Sequence, residues 1–324
     1  MKPTLEEIRK PIESELKLFE EKFRSSMKTK TPLLDAVMKY IVRQKGKRVR
    51  PMFVFLSASV CGEITEATYR GASLIELLHT ATLVHDDVVD DSDERRGFFS
   101  INAIWKNKIA VLVGDYLLSK GLLLAIGNKD FRLLEIVSDA VRDMSEGELL
   151  QIEKTRKLNI TEEIYFEIIR QKTASLISSA CAVGAASSNV SEVLISKMKL
   201  FGEKVGIAFQ IKDDLLDFGI ENTGKPQGID LKEKKITLPL IYSLNNCSLV
   251  DKKRIINIIR NQNDDPIKVD EVISFIHQNG GMKYAIERMN VFRDEAISLL
   301  DEFTEKKSLR SLKDLVYFTT ERTK

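Results

Sequence analysis

The chain has 324 residues, 43% of them hydrophobic, enough to bury a large core and too many for a disordered polymer. Lys and Arg total 50 against 48 Asp and Glu, so global charge argues neither for nucleic acid nor for an anionic membrane surface as partner. Cys61, Cys181 and Cys247 are far apart and lack CxxC spacing, which reads as reduced structural thiols of a cytoplasmic protein and excludes a cysteine zinc site.

The chain opens with "MKPTLEEIRKPIESELKLFEEK", a charged helical pattern with no apolar signal region, so export is not expected. Thr4 with Glu7 three residues later has the spacing of a capping box. Apolar residues recur in helical period, predicting further helices near 32–43, 50–60, 64–92, 107–127, 129–153, 161–188 and 192–219. The stretch 174–191, "ASLISSACAVGAASSNVS", is uncharged but rich in Ser, Ala and Gly, which suits a closely packed buried helix better than a membrane span. After a polar loop around "ENTGKPQGIDLKEKK", shorter helices fill the last third. No segment alternates with period two, so the fold class is all-α. A helix of about 28 residues at a rise of about 1.5 Å per residue is about 42 Å long. Helices of that length pack as a bundle around a central space, and with no linker in view residues 1–324 read as one domain.

Two acidic motifs stand out. The pattern Asp-Asp-x-x-Asp occurs at Asp86, Asp87 and Asp90, and again at Asp213, Asp214 and Asp217, each time closing an apolar run. Residues four apart share a helix face, which pairs Asp86 with Asp90 and Asp213 with Asp217. Two unit charges about 4 Å apart interact by about 4 kcal/mol at an effective dielectric near 20, so two such pairs facing each other require cations. Oxygen ligands without cysteine favour magnesium, which completes its shell with water and substrate phosphate. The alternative, that each motif is a solvated helix end, is weakened by the repetition.

Four basic clusters are candidate phosphate sites: Lys47, Arg48 and Arg50 in "GKRVRP"; Arg95 and Arg96 in "RRG"; Lys172 in "RQKTAS"; and Lys225, Lys232, Lys234 and Lys235 in "GKPQGIDLKEKK". Arginine suits bidentate recognition of phosphate, although any one cluster is also ordinary surface charge. His79 lies seven residues before Asp86, two turns along the same face, and so joins the phosphate candidates. His85 points elsewhere and His277 stands in an unremarkable helix; neither receives a role.

Taken in order, "GKRVRP", "ELLHTATLVHDDVVDDSDERRG", "LVGDYLL", "GELLQ", "RQKTASL", "AFQIKDDLLDF" and "GKPQGIDLKEKKITLPLIY" resemble the all-trans isoprenyl diphosphate synthases, the polyprenyl synthetase family, over about residues 46–242. The resemblance implies the isoprenoid synthase fold, with antiparallel helices around a deep cavity, a homodimer, and two aspartate motifs facing across the cavity mouth. It implies magnesium, three ions per site with substrate bound, held by the aspartates and gripping an allylic diphosphate. Lys172, Lys235 and Arg95 would add positive charge there, with the oxygens of Thr173 and Gln210 facing the developing cation. Isopentenyl diphosphate would be bound by Lys47, Arg50, His79 and Arg96. One departure is visible: Lys234-Lys235 stands where the family usually has Gly-Lys, so the loop loses a permissive residue.

Ala81 and Thr82, just before the first motif, are small where bulky aromatics in the family stop growth at farnesyl. Their size predicts a longer product of the kind used for quinone side chains, with a geranylgeranyl product as the alternative. Such a product leaves peripheral membrane contact open, although no spanning segment is expected. Three rival readings remain. A class I terpene cyclase would hold only one diphosphate, an HD-type phosphohydrolase would need more histidines than the three present, and a non-catalytic partner subunit would be expected to have lost motif aspartates.

Overall fold

The structure is a computed structural model that describes residues 3–44, 46–95, 97–219 and 228–322. Its helices follow the predicted periodicity. They are α1 (Leu5–Arg9), α2 (Glu13–Ser26), α3 (Pro32–Arg43), α4 (Val49–Cys61), α5 (Glu66–Val89), α6 (Ile101–Trp105), α7 (Asn107–Gly127) and α8 (Phe131–Lys157). Then come α9 (Glu162–Ile169), α10 (Ser175–Ala186), α11 (Glu192–Asp217), α12 (Ile229–Lys232), α13 (Leu238–Asn245), α14 (Leu249–Asn261), α15 (Pro266–Gln278), α16 (Gly281–Ser298) and α17 (Lys307–Thr320). Among the described residues the only strands are β1 (Glu94–Arg95) and β2 (Phe98–Phe99), a two-residue antiparallel ribbon. The fold is all-α. The Thr4–Glu7 capping box forms, with the Glu7 N–H donating to Thr4 Oγ1 at 3.3 Å and Glu7 Oε2 accepting the Thr4 N–H at 2.9 Å.

Helix α10 is the packing centre. Its small side chains are buried almost throughout, and it lies against α4, α5, α8 and α11. The buried apolar residues form two clusters, and α11 runs through both: Ile195, Met198, Phe201 and Val205 belong to the first, Ile207, Ile211 and Leu215 to the second. Its C-terminal turn, which carries the second aspartate motif, is thereby fixed by the C-terminal helices.

The predicted helix over 161–188 is not continuous. Between α9 and α10 the chain takes one π-helical turn over Arg170–Ala174. Such widened turns gather at functional sites, and tertiary packing accounts for this one. Gly147 of α8 has no side chain where a Cβ would stand 2.8 Å from both Gln171 Cβ and the Lys172 nitrogen. Gly206 of α11 likewise meets Ala174, with a Cβ placed 2.5 Å from its Cα. Two glycines therefore let α8 and α11 clasp the widened turn.

Helix α7 is the one helix among the described residues long and apolar enough, by length and composition, to cross a membrane; 33% of that stretch is buried in the fold. Its inner face lies on α5, and Val111, Leu112, Leu122, Leu123 and Ile126 are exposed. At about 100° per residue these five fall within a stripe of about 120°.

Candidate active site

The first motif closes α5. The helix ends at Val89, shorter than predicted, and Asp90 takes the C-cap, its N–H bonded to the Asp86 carbonyl at 2.8 Å, so Asp86 and Asp90 do lie one turn apart. The chain then turns through Asp91 at φ 49°. Asp93 and Glu94 leave the helix for this turn and the ribbon. The turn is tied down: the Ser92 N–H donates to the Asp87 carbonyl at 2.9 Å, and Asn102 Nδ2 donates to the carbonyls of Asp87 and Ser92, both at 3.2 Å.

The second motif closes α11. Asp217 accepts the backbone N–H groups of Ile229 at 3.0 Å and Asp230 at 3.1 Å, and so caps α12. Asp213 forms an ion pair with Arg322. Asp214 turns inward, accepting the Tyr165 hydroxyl at 2.6 Å and Gln210 Nε2 at 2.8 Å. The middle aspartates, Asp87 and Asp214, are both buried, whereas Asp86, Asp90, Asp213 and Asp217 keep some exposure. The helical period explains this split, since a residue next to the exposed pair lies about 100° around the axis.

Negative charge is crowded here. Burial, and then the charge of Asp230, hold the Asp214 carboxyl well above the usual range despite its two hydrogen bonds. Burial and the neighbouring Asp217 push Asp230 up to about 6. Burial raises Asp217 as well, its two backbone N–H bonds offsetting only part of the effect. Burial pulls the Lys235 ammonium down, but its bond to Glu233 and the charges of Asp230 and Asp90 outweigh this and keep it protonated. Because Lys235 feels Asp90 of the first motif and itself lowers Asp217 of the second, it lies in the field of both.

A cavity of about 260 Å³ collects Lys172, Thr173, Gln210, Asp214, Asp230 and Lys235. The widened turn supplies two of its groups. Lys172 Nζ pairs with Glu148 at 2.5 Å and donates to Gln151 at 3.4 Å, which gives the "GELLQ" segment a positioning task, and Thr173 Oγ1 donates to Gln210 Oε1 at 2.8 Å. A second cavity, of about 500 Å³, is lined by Lys47, Arg50, His79, Phe209 and Arg322. It adjoins the first, because Phe209 precedes Gln210 and Arg322 reaches across to Asp213. Arg50 meets His79 Nε2 at 2.9 Å, and since a guanidinium can only donate, this nitrogen is the acceptor of the pair. Arg48 instead pairs with buried Glu76 at 2.6 Å. Lys232 is exposed, and Lys234 donates to the Arg260 carbonyl at 3.0 Å. Arg96, Lys225 and the side chain of Arg95 lie outside the described residues.

Ala81 is fully buried, and Thr82 Oγ1 donates to the His79 carbonyl at 3.0 Å; neither lines these two cavities. His85 Nε2 lies 3.3 Å from the Val111 carbonyl and His277 Nε2 3.0 Å from that of Phe218. Three site residues escaped the sequence reading. Asp230 lies inside a segment noticed only for its lysines, Tyr165 is a lone tyrosine seven residues before Lys172, and Arg322 carries no motif.

Among the described residues no three His, Cys, Asp or Glu side chains are grouped closely enough to hold a metal ion alone. Magnesium takes one or two carboxylates and leaves the rest of its shell to water and phosphate, so such a trio is not a requirement for it. Desolvated carboxylates raised by one another's charge are also the setting that a divalent cation relieves.

Residues 31–276 match the family model described as "Polyprenyl synthetase". The chain is 33% identical over 320 residues to an all-trans-nonaprenyl-diphosphate synthase (geranyl-diphosphate specific) of Rhodobacter capsulatus, covering 98% of each chain. A crystal structure of a decaprenyl diphosphate synthase from Rhodobacter capsulatus superposes with a TM-score of 0.93 at 30% identity, covering 99% of this chain and 100% of that one. A geranylgeranyl pyrophosphate synthase from Bacteroides thetaiotaomicron superposes with a TM-score of 0.84 at 35% identity, covering 98% of both.

Proposed function

Because this chain belongs to the polyprenyl synthetase family, we propose that it joins isopentenyl diphosphate head-to-tail to an allylic diphosphate and repeats the step to give a long-chain all-trans product. One observation supports this reading above all: two adjoining cavities carry separate sets of cationic and hydrogen-bonding groups, suiting two diphosphates held side by side. A cyclase would need only one.

Asp86, Asp90, Asp213 and Asp217 would hold the metal, with Asp87 and Asp214 bracing the helix ends from inside. Magnesium, when bound, supplies positive charge to the leaving diphosphate. Lys172 and Lys235 add fixed charge to the same group as the allylic carbon–oxygen bond breaks, which is preorganised electrostatic stabilisation. Arg95 belongs to this set on family grounds. Thr173 and Gln210 present oxygens to the positive charge that develops on carbon. In the larger cavity Lys47, Arg50 and His79, with Arg96, bind the diphosphate of isopentenyl diphosphate, and Arg322 is the added cation of that wall. The isopentenyl double bond forms the new carbon–carbon bond, and the proton lost from the adjacent carbon passes to the departing diphosphate. No protein base is needed.

Small side chains at Ala81 and Thr82 support a product beyond geranylgeranyl, of the quinone side-chain kind. Kinship to a geranylgeranyl synthase favours the shorter alternative. We further read the protein as a cytoplasmic homodimer in which the apolar stripe of α7 is covered by a second copy; light scattering would then give twice the chain mass of 36.8 kDa. Label from isopentenyl diphosphate should enter an acid-stable prenyl product with magnesium present and fail to enter when the metal is chelated. Release of phosphate without incorporation would overturn the reading.

A further inference from the structure

Away from both cavities, α2 and α3 enclose a third, of about 400 Å³. Its apolar wall is Met27, Met38 and Val42, the two methionines being buried, while Arg24, Lys28 and Arg43 stand exposed around it. The stretch from Arg24 to Arg43 holds five basic residues and one acid, against near balance in the whole chain. That acid, Asp35, is already engaged by Lys39 at 2.7 Å and by the Thr29 N–H at 3.5 Å. Arg24, Lys28 and Arg43 form no ion pair among the described residues, although arginines elsewhere on the surface, such as Arg132, Arg142 and Arg254, are paired. Beside the cavity, the loop between the helices carries Lys30, and the first turn of α3 carries an exposed Leu33, 48% accessible.

We propose that the α2–α3 cavity is a binding site for an anionic membrane phospholipid, which seats the enzyme on a bilayer. Unpaired cations around a methionine-lined hollow match a ligand with an anionic head and a greasy body, and an exposed leucine in the first turn of α3 can enter the headgroup layer. A free phosphate would use the cations and leave the apolar wall idle. The benefit to the enzyme rests on the proposed long product, which is poorly soluble in water. The binding itself does not depend on catalysis.

The test is co-sedimentation of the full chain, without substrate or magnesium, with phosphatidylcholine vesicles and with vesicles containing about 30% phosphatidylglycerol, a composition whose surface attracts basic segments. The protein should bind only the anionic vesicles, and less at high salt. Arg24→Glu/Lys28→Glu/Arg43→Glu should weaken partition by more than about 100-fold, and Leu33→Asp by about fivefold, with condensation of soluble substrates unchanged. Should the triple variant lose its native circular dichroism, single Gln replacements of the same three residues decide instead, each expected to weaken partition by about fivefold. Equal partition on both vesicle types, or unchanged partition in the variants, would overturn the proposal. So would calorimetric binding of inorganic phosphate that the triple variant loses while vesicles go unbound. A short product would leave sedimentation untouched, so the two readings fail separately.

Discussion

The Tyr165 hydroxyl donates to the Asp214 carboxylate at 2.6 Å inside the fold, fixing the middle residue of the second aspartate motif on the wall of the smaller cavity. Burial and the charge of Asp214 push the phenol well above its ordinary range, so it remains a donor at any working pH. Tyr165→Phe removes that donor and leaves a desolvated oxygen unsatisfied. We expect a stability loss of about 1–3 kcal/mol in denaturant titration. A fall of about tenfold in condensation rate should accompany it, the size typical when a group supporting metal ligands is removed. An unchanged rate would mean that Asp214 does not position its neighbours.

Lys234 adopts φ 57°, the left-handed conformation, at the position where the sequence departs from the Gly-Lys usual in its family. A side chain there costs about 1–2 kcal/mol, and glycine returns part of that gain as unfolded-state entropy. Lys234→Gly should therefore stabilise the protein by about 0.5–1 kcal/mol and leave the Lys235 site intact. Thermal unfolding together with a condensation assay would check both parts.

Ala81 is fully buried one residue before Thr82 and five before Asp86. If growth passes these two small residues, Ala81→Phe and Thr82→Phe should shorten the product while condensation continues. Unchanged length in both variants would place the floor elsewhere, with α7 the nearest alternative because it lies on α5.

Burial pushes the Cys61 thiol up to about 12 and raises that of fully buried Cys181 as well. Thiolate is the reactive form. In the folded protein at mildly alkaline pH, Cys247 should therefore react first with a disulfide reagent, Cys61 slowly, and Cys181 only on unfolding. Peptide mapping of the labelled protein reads the order.

Much of this molecule was legible before its coordinates. Helices over 32–43 and 107–127 begin and end where the sequence placed them, because Pro32 opens one at its first turn and the apolar period of the other runs unbroken. Four-residue spacing was enough to pair the outer aspartates. What escaped was tertiary in origin. The widened turn at 170–174 exists because Gly147 and Gly206 admit two other helices, and no local pattern encodes that approach. Asp230 on α12 and Arg322 just beyond α17 join the site by tertiary packing, and in the sequence a single charged residue looks like any other. The same phasing accounts for the burial of Asp87 and Asp214, each about 100° around the axis from a paired aspartate.

Product length tests the account most directly. The enzyme would be given farnesyl diphosphate, excess labelled isopentenyl diphosphate and magnesium, and the dephosphorylated products sized by reversed-phase chromatography. The small residues at Ala81 and Thr82 predict a main product longer than geranylgeraniol. A series that stops at geranylgeraniol, or no incorporation at all, would contradict it.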